Sequence, residues 1–190
     1  MESKLLEGAL HAAADRIMAG ERSQTDDFLS KDAEKGFWSY VNGPIREQIL
    51  MELKHSKLSD VTIVFGHTHK PYQEDVNFKR YPDWVNVYNT GGWVVESVKP
   101  EPLRGGAIVL VDEDLNTVSL RMYNEDPDPD NYSVTIEEAR HSGEGESPLY
   151  KRMSNIVDPD KQPWKGFSAA AARCVRIRAQ NLRARINEAD

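Results

Sequence analysis

The sequence predicts an α/β fold, on three observations. A helical pattern opened by Asn42-Gly43-Pro44 leads into a short apolar run, Val61-Thr62-Ile63-Val64-Phe65, closed by Gly66. A helix that feeds a short strand rich in β-branched residues is half of an α/β unit. Two further apolar runs, Ala107 to Val111 and Thr117 to Tyr123, flank the turn residues Asp112 to Asn116 and read as a β-hairpin. Amphipathic helical patterns lie toward both ends of the chain, over 3–19 and 169–187.

Composition sets the frame for these elements. The chain has 190 residues, 29% charged and 39% hydrophobic, with a formal net charge of −7. Its mean hydropathy is −0.63. No segment approaches the length of a membrane span, so no membrane span is expected. The acidic balance argues against nucleic acid as a general ligand. The first residues lack the basic-then-apolar layout of a secretory signal. Cys174 is the single cysteine, so no internal disulfide and no cysteine-rich zinc site is expected. A cytoplasmic protein is the expectation.

In order along the chain, Ser3 caps a helix whose stripe is Leu6, Leu10, Ala13 and Ile17, stopped by Gly20. His11 lies beside that stripe and reads as structural. Residues 21–35 are charged and without period, and read as a loop. Phe37-Trp38-Ser39-Tyr40-Val41 is an aromatic patch, read as core packing, with substrate stacking as the alternative. Pro44 suits a first helical position, where its missing N–H costs nothing. Ile45, Ile49 and Leu53 then repeat every four residues to about Ser56, and His55 reads as a cap at the helix end.

The run from Val61 to Phe65 reads as a strand buried on both faces. Just past it stand His67 and His69, separated by Thr68. In an extended segment, residues two apart point to one side, so both imidazoles can converge on one ligand. Imidazole is the commonest protein ligand for transition metals. The alternative is a pair of ordinary structural histidines.

Residues 70–83 hold Pro71, Pro82 and several charges, and read as a loop; Lys70, Lys79 and Arg80 could attract an anion, but each reads first as part of a solvated charged loop. Trp84 to Tyr88 alternates as a strand, Asn89-Thr90-Gly91-Gly92 is a turn, and Trp93 to Val95 is apolar again. After the hairpin, Glu125-Asp126-Pro127-Asp128-Pro129-Asp130 reads as a solvated linker, too stiff for a calcium loop. Residues 142–147 read as loose, and His141 as exposed. In the last helix Ala171, Val175, Ala179, Leu182 and Ile186 share a face, with Arg173, Arg176, Arg183 and Arg185 largely off it. The stripe is expected to pack on the domain and leave the arginines in water.

Gly66-His67-Thr68-His69 with Lys70-Pro71, followed by Val87-Tyr88-Asn89-Thr90-Gly91-Gly92-Trp93, resembles the last metal-binding motif and the following segment of the calcineurin-like metallophosphoesterases. The resemblance covers about residues 37–123. It implies that His67 and His69 are metal ligands, one to each ion of a dinuclear manganese, iron or zinc centre. It implies hydrolysis of a phosphomonoester or phosphodiester, in which two cations activate a water and clamp the phosphate oxygens. It also implies that this chain is the C-terminal half of a layered α/β/β/α sandwich with flanking helices.

The earlier motifs of that family are not here. No aspartate is followed two residues later by histidine, and neither a glycine-aspartate nor an asparagine-histidine pair occurs. Residues 1–36 then read as a helix and polar loop, a possible insertion. Residues 37–123 read as the carboxyl-terminal part of the phosphoesterase-like domain, and 124–190 as an acidic linker with a basic amphipathic helix. On this reading the chain alone is inactive. A missing N-terminal half, self-association or another polypeptide completes it. The alternative is a non-catalytic half-domain that binds a partner or a single metal.

Overall fold

A computed structural model of the chain describes residues 31–54, 58–66, 68–95, 97–126, 128 and 130–189. The expected helix over 3–19, with His11, lies outside the described residues, as do His55 and His67.

The described residues form a mixed α/β fold with two three-stranded sheets and three helical segments. The first segment is continuous from Lys31 to Glu52. It comprises α1 (Lys31–Tyr40), a π-helical turn (Val41–Ile45) and α2 (Arg46–Glu52). The sequence placed residues 31–35 in a loop and started a helix at Pro44. Instead Pro44 sits inside the π turn, where the wider backbone loop accommodates a residue that has no N–H. The side-chain amide of Asn42 donates to the Trp38 carbonyl at 2.9 Å, satisfying an acceptor at the irregular turn.

The first sheet has the order β1-β3-β2, with β1 (Thr62–Phe65), β2 (Tyr72–Val76) and β3 (Val85–Asn89). β1 runs parallel to β3, and β2 antiparallel to it. Ile63, Phe65, Tyr72, Val76, Val85 and Val87 point to the helical segment. There Val41, Phe78 and Tyr81 complete the core with Phe37 and Trp38. The aromatic patch is therefore core packing, as expected: Phe37 lies 4.9 Å from Phe65 and Trp38 lies 4.6 Å from Phe78, ring to ring. β1 is not buried on both faces. It is an edge strand, and Val64, on its other face, is 47% exposed.

The second sheet has the order β4-β5-β6, all antiparallel, with β4 (Gly105–Val111), β5 (Thr117–Asn124) and β6 (Thr135–Glu137). The expected hairpin is β4–β5. Its first strand is an edge rather than a buried strand, with Ile108 and Val111 exposed. Val118, Leu120 and Ile136 pack under α3 (Pro148–Ile156) and α4 (Trp164–Ala189), against Leu149, Val157 and Ala172. In α4, Val175 is buried and the arginines are exposed, as expected, while Ile186 at the far end is exposed. Among the described residues no helix is long and apolar enough to cross a membrane.

The two sheets meet through polar side chains. The Tyr88 hydroxyl donates to the Thr117 carbonyl at 2.6 Å and accepts from the Ala139 N–H at 2.9 Å. Burial, with the nearby Glu138 and Asp75 carboxylates, pushes its pKa up to about 12 against the opposing effect of the Ala139 hydrogen bond. Ser119 and Thr117 are buried on the same side of β5.

Two loop readings are corrected. The segment 70–83 contains β2, whose Gln73 and Asp75 alternate with Tyr72 and Val76. The stretch beginning at Glu125 is not a wholly solvated linker. Glu125 is buried, its N–H donates to the Arg104 carbonyl at 3.2 Å, and its carboxylate accepts from the Glu101 N–H at 3.2 Å. The loose stretch 142–147 ends in a cap: Ser147 accepts from the Tyr150 N–H at 3.0 Å and starts α3.

Candidate functional site

The loops that carry the two sequence motifs meet. β1 and β3 are parallel neighbours, with Phe65 opposite Asn89. Their carboxyl ends, and the turns that follow, must therefore leave the sheet side by side. The Thr90 N–H donates to the Phe65 carbonyl at 2.8 Å, which continues the pairing past the strand ends.

Asn89 ties the two loops together. It is 0% exposed. Its side-chain N–H donates to the Thr68 hydroxyl, and its side-chain oxygen accepts from the Gly91 N–H at 2.9 Å. A buried primary amide can serve both loops at once because it carries a donor and an acceptor on one rigid plane.

Gly91 and Gly92 are required by the approach of the first loop. Gly91 has φ +63° and a Cβ there would lie 2.7 Å from Pro71 Cδ. A Cβ on Gly92 would collide with the His69 imidazole. The second sheet adds anchors. Gly105 donates its N–H to the His69 carbonyl at 2.9 Å, and Gly92 donates its own to the Gly105 carbonyl at 2.7 Å. The Arg121 guanidinium donates to the Pro71 carbonyl. Burial lowers the pKa of that guanidinium, and Glu137 opposes the shift.

His69 is thus held by its backbone on one side and by Gly92 on the other. It is half-buried and has φ +58°, a left-handed conformation that costs a non-glycine residue roughly 1–3 kcal/mol. Trp93 stacks on Tyr123 at 5.3 Å between ring centroids and extends this wall toward α4, where the Arg178 guanidinium donates to the Trp93 carbonyl at 3.2 Å.

The structure corrects two expectations about charge, for Lys70 and His141, and leaves Lys79 and Arg80 solvated as expected. Lys70 is 1% exposed, not part of a solvated anion-attracting loop. Lys79 and Arg80 are exposed but lie between β2 and β3, at the end of the sheet opposite His69; Arg80 donates to the Asn42 carbonyl at 3.0 Å. His141 is not simply exposed. Its ring stacks on Trp84 at 4.0 Å, and its Nδ1 lies 3.4 Å from Asp75 Oδ2.

Nothing in the sequence marks out Arg121, which reads there as one residue of an alternating strand. Nor does it mark out Thr68 as the link to Asn89. Among the described residues no group of three or more histidine, cysteine, aspartate or glutamate side chains is close enough to hold a metal ion. Compared with models of known protein families, with curated proteins and with solved structures, the chain matches none.

Proposed function

We propose that this chain is the carboxyl-terminal part of a cytoplasmic, metal-dependent phosphoesterase, with His67 and His69 each contributing to one ion of a dinuclear site. One observation carries the reading. The Gly66–His69 loop and the Asn89–Gly92 loop, separated by 19 residues in sequence, are joined through Thr68 and Asn89 at the adjacent ends of two parallel strands. Ligand sites in α/β sheets gather at the carboxyl ends of strands. The left-handed backbone of His69 supports the reading, since strain of that kind concentrates where a side chain must be aimed. Helices on the outer face of each sheet support its being half of a layered sandwich, and the outer edge of β1, unpaired among the described residues, is where a further strand could join.

The donor set does not fit a complete dinuclear centre. The described residues offer one imidazole at this site, from His69, and no clustered carboxylates. Two ions need several hard ligands, including one that bridges them. No catalytic step is therefore assigned to this chain alone. Manganese, iron or zinc fits imidazole with carboxylate, and the remaining ligands would come from a missing N-terminal half, self-association or another polypeptide.

The test has two arms. The DNA immediately upstream of codon 1 is read for the missing aspartate-x-histidine, glycine-aspartate and asparagine-histidine motifs. A chain carrying them is then assayed on a generic phosphodiester with manganese. Turnover that is lost in His67→Ala supports the proposal. An inactive extended chain, with His67→Ala indistinguishable from it, overturns it. A second reading, favoured by the missing ligand cluster, is a non-catalytic module that binds a partner or one metal. It predicts no more than one ion per chain and no turnover.

A further inference from the structure

A cleft lies away from His69, at the opposite end of the strands. It has a volume of about 630 Å³, within the range of small-molecule sites. Its floor comes from strand register. Thr62, Asn86 and Asp75 sit abreast on β1, β3 and β2, and all three line the cleft. Asn116 of the β4–β5 turn and Thr117 of β5 line it from across.

The charge of the lining is one-sided. Asp60, Asp83, Asp114 and Glu144 join Asp75 and Glu138 around it. Arg140 is the one cation among the described residues of the lining. It is already engaged, 3.8 Å from Glu138 and 3.9 Å from Glu146.

Asp75 distinguishes this cleft from a solvated acidic patch. Its side chain is only 6% exposed. Its Oδ2 is buried and accepts no hydrogen bond from the described protein. Burial, then the nearby Glu144, holds its pKa above the ordinary carboxylate range. A buried acceptor left without a donor costs free energy that an incoming donor recovers. Beside it, Trp84 is 43% exposed. The imidazole of His141 rests on that indole, 3.4 Å from Asp75 Oδ2, in the position a cation would take between a carboxylate and an aromatic face.

We propose that this cleft binds a small organic polycation of the polyamine class. One ammonium group takes the place of the His141 imidazole between Asp75 and the Trp84 ring, and the others meet the rim carboxylates. A bare metal ion fits less well. The carboxylates are spread around the cleft, and no three of them, among the described residues, are close enough to share one ion. A flexible ligand with separated charges can reach several.

The experiment is calorimetric titration of the intact chain with spermidine in 0.15 M salt, against magnesium chloride at matched ionic strength. Nitrogen–proton spectra of the Trp84 indole are recorded in parallel. The expected result is saturable binding of one spermidine with a shift of the Trp84 indole signal. Asp75→Asn should weaken binding about tenfold, and Trp84→Ala by about 2- to 5-fold. Both variants are first checked for native circular dichroism. If either is unfolded, the indole shift of the wild-type chain decides. Binding no stronger than that of magnesium, an unmoved indole signal, or folded variants that bind as wild type would overturn the proposal.

Discussion

Replacing Asn89 with alanine tests whether the two motif loops are held together as described. The wild-type amide makes two hydrogen bonds, one donated to Thr68 and one accepted from the Gly91 N–H, from a fully buried position. Each bond is worth about 1 kcal/mol net, and an N–H left buried and unpaired costs about 1–3 kcal/mol more. The expected loss is about 3 kcal/mol. For a chain of this size that is a fall of roughly 6–12 °C in Tm. Urea unfolding at pH 7 should show a lower midpoint with an unchanged slope, because the surface exposed on unfolding is the same. A double-mutant cycle with Thr68→Val isolates the link between the loops and should give a coupling of about 1 kcal/mol. A loss below about 0.5 kcal/mol, or no coupling, would refute the stapling role.

Other variants report on the frame around the site. Gly91→Ala forces a side chain into a left-handed backbone and into Pro71 and the Gly105 carbonyl, and should cost more than about 3 kcal/mol by the same urea assay. Phe78→Ala empties a fully buried position among Phe37, Trp38 and Tyr81, and should cost about 3–5 kcal/mol. Tyr88 has its pKa raised from the usual 10.0 to about 12 in the folded protein. Between those values the unfolded chain gives up the proton while the folded one keeps it. The contribution is therefore present below pH 10 and lost as pH rises through about 12, on the order of 2–3 kcal/mol. Tyr88→Phe should flatten the fall in urea midpoint over that window; an equal slope in wild type and variant would contradict the placement of its hydroxyl between the sheets.

What could be read from the sequence follows from where apolar periodicity was strong. β1, the β4–β5 hairpin and the face of α4 each carry a clean apolar pattern and were legible. β2 was not. Tyr72 and Val76 face the core, but Gln73 and Asp75 face a polar layer between the sheets and Glu74 faces solvent, so this edge strand looks like a charged loop. The same layer hides the function of Arg121, whose guanidinium reaches the Pro71 carbonyl. Pro44 misled in a different way: local propensity sets a helix start there, while packing of Phe37, Trp38 and Val41 onto the first sheet carries the helix through it as a π turn. At the site, residue type and spacing pointed to His69 and to the Asn89 turn. The contacts that join them depend on strand order, which spacing along the chain does not encode.

The central claim, that His67 and His69 form one wall of a metal site, is tested most directly by paramagnetic broadening. Manganese is titrated into the intact chain while the imidazole proton signals of all five histidines are followed. The signals of His67 and His69 should broaden first and together, at metal concentrations that leave His11, His55 and His141 sharp. Uniform broadening, or broadening that begins at His141 beside the acidic cleft while His67 and His69 stay sharp, would contradict it.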